Sequence, residues 1–336
     1  MRIGFALPHY DFSFPDGKGV TWPRLLEAAQ GAERLGFDSA WVSDHFFLDL
    51  ERYGASPEPL MGSMEPFTAL AGLAAATERV RLGTLVACTP FRHPAILAKM
   101  STAIDHVSGG RFDLGLGAGW YQREFEAFGY AFGTTGERFR NLEAAVQAVA
   151  ALFQEGPVDL EVGDVKLAGA FNHPLPVQRP GPPIVVGGKG GPRLLRLIAR
   201  HADGWNVVWR MTPEDYAPRV ASLEAICGEE GRDPSTVRRS VGLLTVVGED
   251  EHDLAARYGA LQRWMPGGAL DGTPVEEFAR DTLTGTPEDC LKRLGRFAEL
   301  GVEEVVVSAA ALPFAVFDWS MLDLFARAVL PEARRL

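Results

Sequence analysis

The sequence predicts a (β/α)8 TIM barrel, an α/β fold, and three observations carry that reading. Short apolar runs alternate with longer amphipathic segments almost from end to end, the rhythm of repeated βα units around a parallel sheet. Eight such runs fall at residues 2–7, 38–43, 80–87, 111–116, 183–187, 204–208, 238–247 and 303–309, more than the roughly five to seven strands of an open doubly wound sheet. The length of 336 residues, 46% of them hydrophobic, suits one barrel of about 200 to over 400 residues. The chain 1–336 therefore reads as a single domain.

Each element has its own signal. Thr21-Trp22-Pro23, Thr212-Pro213-Glu214-Asp215 and Thr286-Pro287-Glu288-Asp289 each read as a helix start, with Thr at the N-cap, Pro at the first helical position and acids in the first turn. Leu35-Gly36, Ser108-Gly109-Gly110 and Leu300-Gly301 supply the left-handed residue that ends a helix just before the next strand. Three segments exceed the minimal βα unit: about 46–65, 153–182 with a hairpin expected over 158–167, and 249–285. Long loops in compact domains are commonly lids or binding loops, so specificity is expected there.

Composition narrows the class. A net charge of −11 and an isoelectric point near 5.2 argue against a nucleic-acid or anionic-membrane binder, which needs an electropositive face. Cys88, Cys227 and Cys290 are widely spaced, suggesting neither a disulfide framework nor a zinc knuckle, and so a reducing cytoplasm. The apolar start of the chain is too short for a signal peptide and no run approaches a membrane span. The expectation is a soluble protein with no metal site.

Four segments can carry chemistry. Asp44-His45 stands at the end of the strand 38–43, where the carboxyl ends of barrel strands gather catalytic groups. With Ser43 turned to the helices, Asp44 would face the interior and the turn would bring His45 over the mouth. Imidazole titrates near neutrality and can move a proton, while the neighbouring carboxylate can orient it or bind a ligand donor. Gly187-Gly188-Lys189-Gly190-Gly191-Pro192 links a strand to a helix. Glycines let an anion approach, helix N–H groups attract phosphate, and Lys189 and Arg193 add charge. Leu114-Gly115-Leu116-Gly117-Ala118-Gly119-Trp120 lacks the third glycine of a dinucleotide fingerprint. The bare backbone of Gly117 to Gly119 instead makes room for a flat ring, with Trp120 and Tyr121 as walls, or for close strand packing. Cys88 ends the third strand and reads as a small buried wall residue rather than a nucleophile.

These segments, with Gly36-Phe37-Asp38-Ser39-Ala40-Trp41-Val42-Ser43-Asp44-His45-Phe46, Ala76-Thr77-Glu78-Arg79-Val80-Arg81-Leu82-Gly83-Thr84 and Phe91-Arg92-His93-Pro94-Ala95, resemble the bacterial luciferase-like monooxygenase superfamily. Within it the chain looks like the oxidoreductases that use coenzyme F420, a 5-deazaflavin, and the similarity covers nearly the whole chain. The resemblance implies a barrel that binds its ring at the mouth and transfers a hydride between the deazaflavin and a small, apolar organic substrate. It places Asp44 and His45 at the ring, with the His as proton donor or acceptor. It places Val86, Ala87 and Cys88 at a bulge where many members carry a non-prolyl cis peptide behind the ring. Ala118, Gly119 and Trp120 become a contact segment, and Gly187, Gly188, Lys189 and Gly190 the phosphate loop. Trp120 stands where some sugar-phosphate dehydrogenases of this branch carry a Glu, which argues against such a substrate. A homodimer and a cofactor-reducing partner enzyme are also implied. Two other readings remain: an FMN-dependent monooxygenase using reduced flavin and oxygen, and a non-catalytic flavin-binding protein.

Overall fold

In the computed structural model, which describes residues 1–336, eight parallel strands close into a barrel. They are β1 Arg2–Ala6, β2 Ser39–Val42, β3 Arg81–Thr84, β4 Phe112–Gly117, β5 Ile184–Gly187, β6 Gly204–Trp209, β7 Arg238–Val247 and β8 Val302–Ser308. The strands pair in chain order, β8 returns to β1, and β4 pairs β5 through Leu114 and Ile184. All eight coincide with the apolar runs of the sequence. The helices form the outer ring, because each βα connection must fold its amphipathic segment back onto the sheet.

Helix ends follow the expected chemistry with one exception. Thr212 and Thr286 cap their helices by accepting from the amides of Asp215 and Asp289. Thr21 makes no capping bond, and no acid stands in the first turn of helix Trp22–Leu35. Here Trp22 already opens the helix, so Pro23 sits one position further in than the motif implied. Gly36 and Gly109 end their helices in the left-handed conformation, φ 90° and 66°.

The amino-terminal end of the barrel is closed by paired charges. Asp113 on β4 accepts from Arg81 Nε at 2.7 Å and from Arg238 Nη2 at 3.0 Å. Glu304 on β8 pairs with Arg2 at 3.5 Å and accepts from the Ser39 hydroxyl, which in turn accepts from the Trp41 indole at 2.7 Å. Gly4 and Gly83 make this possible, since a Cβ at either position would collide with Trp41.

The three long segments differ in kind and in place: the second, expected to carry specificity, lies at the amino-terminal end, where Gln178 bonds Arg81 and the Phe112 carbonyl. Segment 46–65 folds as a miniature hairpin, Phe47–Leu48 against Met61–Gly62, around a short turn Glu51–Tyr53. Segment 153–182 carries the expected hairpin, Val158–Val162 with Val165–Ala170. Segment 249–285 holds helix Glu251–Trp264 and a short strand Leu283–Gly285 that extends β7. The first and third meet: a Cβ on Gly54 would lie 3.2 Å from Ala269, and one on Gly267 3.3 Å from Ala55. No helix is long and apolar enough to cross a membrane.

Candidate active site

His45 is held from behind by a residue distant in sequence. Its Nδ1 lies 2.7 Å from Oε1 of Glu124, whose Oε2 accepts from the Phe46 amide at 2.9 Å. A carboxylate only accepts, so Nδ1 carries the proton and Nε2 stays available for substrate. Glu124 is 1% exposed, which makes its two bonds nearly obligatory and fixes the imidazole in orientation. Trp120 meets the ring edge-on at 5.5 Å.

Asp44 does not play the part expected from its adjacency. Its oxygens accept from Arg92 at 2.6 and 3.1 Å and from the Cys88 amide at 2.9 Å. Burial pushes its pKa up, against the opposing pull of the Arg92 guanidinium. Ser43 and Asp44 both follow the end of β2 at Val42. Ser43 Oγ lies 3.0 Å from His9 Nε2 and 2.5 Å from the Tyr10 hydroxyl. His9 Nδ1 donates to the Leu7 carbonyl at 2.9 Å, and Nε2 accepts from the Ser43 amide at 3.2 Å. Burial lowers the His9 pKa to about 4, so this imidazole is neutral.

The third, fourth and fifth strands meet at Val86. The Leu85–Val86 peptide is cis, at the bulge the resemblance implied. A Cβ on Gly117 or Gly187 would run into the Val86 side chain, and one on Gly115 into the Thr84 carbonyl. Within Gly117 to Gly119, expected to admit a flat ring or to serve close strand packing, Gly117 packs around Val86. At Gly119, with φ 76°, a Cβ would lie 2.9 Å from Cys88 Sγ and 2.7 Å from Phe125. Cys88, Phe91 and Phe125 form a small apolar cluster apart from the main core. Burial drives the Cys88 thiol far above its ordinary value, as fits a wall residue and not a nucleophile. Ala87, Ala118 and Trp120 lie beside these groups, Trp120 on the surface.

The glycine loop has two carbonyls and one amide bonded and leaves its next three amides free. The Trp205 indole donates to Gly188 O at 2.9 Å and Arg219 Nε to Lys189 O at 2.9 Å. The Gly188 amide donates to Asn206 O at 3.0 Å. The amides of Lys189, Gly190 and Gly191 have no protein partner, and helix Pro192–His201 begins directly after them. Three successive unbonded donors at a helix N-terminus are what an anion cradle requires. Arg193, expected to add charge here, turns outward: it is 3.9 Å from Glu143 and covers the Phe139 ring.

The first long loop is latched to the turn that carries Glu124. Tyr121 donates to Asp49 at 2.5 Å, and Arg123 reaches Asp49 at 3.4 Å and Glu58 at 2.5 Å. Burial, followed by the bonded Asp49 carboxylate, pushes the Tyr121 pKa up to about 12. Arg52 of the same loop stacks over Trp120 at 4.4 Å. The sequence reading missed Glu124, Arg92, His9 and Tyr10. A histidine directly after a strand and an acid shortly after the following glycine-rich strand would have been the only signals. No group of three or more His, Cys, Asp or Glu side chains is placed to hold a metal ion.

A closed barrel with a backed imidazole and an anion cradle at one end defines a cofactor-binding enzyme of the TIM-barrel oxidoreductase type. The chain belongs to the luciferase-like monooxygenase family, whose model matches residues 1–304. It is 29% identical to an F420-dependent hydroxymycolic acid dehydrogenase of Mycobacterium tuberculosis, over 99% of this chain and 88% of that one. Among solved structures, an F420-dependent secondary alcohol dehydrogenase in complex with an F420-acetone adduct superposes with a TM-score of 0.75 at 22% identity, covering 99% of each chain. The monooxygenase RslO1 from Streptomyces bottropensis also gives 0.75, at 25% identity over 98% of this chain and 99% of that one.

Proposed function

We propose that this protein is a coenzyme F420-dependent oxidoreductase acting on a small organic alcohol or carbonyl compound. The observation that carries it is the pairing of His45 with Glu124 at the same barrel mouth as the unbonded amides of Lys189, Gly190 and Gly191. The chemistry of these donors fits a redox cofactor with an anionic tail: the amides would hold the tail, and Val86, Ala87, Cys88, Ala118, Gly119 and Trp120 would bound the ring. When bound, the deazaflavin supplies a site that takes up or delivers hydride.

The chain's own residues handle the rest. His45 Nε2 takes the proton from a substrate hydroxyl during oxidation, or returns it during reduction, and Glu124 stabilises the imidazolium that forms. Asp44 acts through others: with Arg92 it fixes the Cys88 amide and the bulge that carries Val86. A dry, rigid wall holds the substrate so that one carbon faces the hydride site. The protein works as a homodimer in the cytoplasm, with a separate enzyme regenerating its cofactor.

A second reading, an FMN monooxygenase, is favoured by the likeness to RslO1. Anaerobic titration with F420 and with FMN separates the two. The proposal expects tight F420 binding and hydride exchange with secondary alcohols. Preferential FMN binding with oxygen-dependent turnover overturns it.

A further inference from the structure

A second cavity opens in the outer ring of helices, between helix Trp22–Leu35 and helix Trp319–Ala328. Its volume is about 320 Å³, and it shares no residue with the site built around His45 and the glycine loop. Ala28, Gly31 and Ala32 fall on one face of the first helix and line the opening, so no large side chain grows across to fill it. The walls are rings: Phe5 and Phe37, 5.3 Å apart, with Phe14 and Trp319. A concave space of roughly 300–1,000 Å³ with apolar walls and a few polar groups is the usual form of a small-molecule site. The charged groups here are Arg24, Glu27, Arg34 and Asp323. Arg24 is already committed, covering the Phe14 ring at 3.8 Å and donating to Asp16 at 2.7 Å and to the Gly19 carbonyl at 2.8 Å. Glu27, Arg34 and Asp323 line the same slot and form no ion pair and no side-chain hydrogen bond. Arg34 carries its guanidinium to 3.7 Å from where a Cβ on Gly31 would stand, one helical turn along from Glu27.

We propose that this slot binds a free aromatic α-amino acid. The ring enters among Phe5, Phe37 and Trp319, the ammonium meets Glu27 and Asp323, and the carboxylate meets Arg34. The mixture of signs selects the class. An anion would meet two carboxylates for one guanidinium, and a cation would meet the uncommitted Arg34, whereas a zwitterion matches all three. The rings select an aromatic over an aliphatic side chain, because offset and edge-to-face ring pairs attract beyond the burial of area alone. The slot is separate from the barrel mouth, so it stands whichever cofactor the mouth takes.

The test is calorimetric titration of the full chain with L-phenylalanine, with phenethylamine, which lacks the carboxylate, and with 3-phenylpropionate, which lacks the ammonium. L-Phenylalanine should bind at a single site, about fivefold or more tighter than either analogue, the effect of one exposed ion pair. Arg34→Gln should remove its advantage over phenethylamine, and Glu27→Gln with Asp323→Asn its advantage over 3-phenylpropionate. Gly31→Leu should fill the slot and abolish binding. Trp319→Ala, on the facing helix, should weaken L-phenylalanine by about fivefold. No binding of L-phenylalanine at millimolar concentration, equal affinity for the three ligands, or binding untouched by both Gly31→Leu and Trp319→Ala overturns the proposal.

Discussion

The two ends of the barrel are built from the same strands and treat polar groups in opposite ways. At the amino-terminal end Arg2, Arg81 and Arg238 are matched against Glu304 and Asp113, with Ser39 and the Trp41 indole bonded into the set. At the carboxyl end three successive amides lack partners, and His45 keeps one nitrogen without a protein bond. The first end spends its hydrogen-bonding capacity on itself and the second keeps some in reserve. Stability and activity are therefore separated along one axis, as the barrel architecture allows.

The separation can be broken most severely from below. Asp113→Ala leaves two half-buried guanidinium groups without their shared buried carboxylate, removing charge-assisted hydrogen bonds of about 1.5–3 kcal/mol each, less whatever solvent screening restores. Urea unfolding should show that loss, while cofactor affinity of the folded fraction stays unchanged. A fall in affinity without a fall in stability would merge the two ends. From above, His45→Ala should lower turnover by about 10²- to 10⁴-fold, the usual contribution of a positioned acid or base. Its midpoint of unfolding should scarcely move, and a large shift would make His45 a packing residue.

A third prediction follows from the buried imidazole beside the mouth. The His9 pKa is about 4 in the folded chain, against an ordinary value near 6.5 in the unfolded one. The unfolded state thus binds the proton first, and stability falls as pH drops from about 6.5 to about 4, by on the order of 3 kcal/mol. His9→Gln should flatten the unfolding free energy over that interval, and an unchanged slope would assign the titration to other groups. The smallest effect belongs to Glu124→Gln. It weakens one charge-assisted hydrogen bond of about 1.5–3 kcal/mol, or about ten- to hundredfold in kcat/KM. The sharper test is the pH profile: a Glu124 that acts through His45 alters its shape, whereas a purely structural role leaves the shape intact.

The strands were legible because each is a short apolar run, most of them followed within a few residues by Gly or Pro, a signal contained within about ten residues. The glycine loop and His45 were legible for the same reason, since anion cradles and strand-end histidines are local patterns. What could not be read was pairing across βα units. Glu124 lies 79 positions from His45 and Arg92 lies 48 from Asp44. Nothing in Gln122-Arg123-Glu124-Phe125-Glu126 marks one Glu as buried and the other as exposed until the barrel closes. The adjacency of Asp44 and His45 suggested a pair, but both lie in the turn after β2, where sequence spacing does not fix direction. The two residues in fact serve different partners. Gly117 to Gly119 were read as admitting a flat ring or as close strand packing, and at Gly117 the neighbour that demands glycine is Val86, from the adjacent strand's end.

Tyr121 and Arg123 clasp Asp49 and Glu58, and the adjoining Glu124 steers the imidazole. An engineer transplanting a foreign 46–65 segment to retarget this scaffold would disturb proton handling too, unless the 120–124 turn travelled with it. The pair forms one inheritable cassette, so descendants that diverge in what they accept should exchange both pieces together.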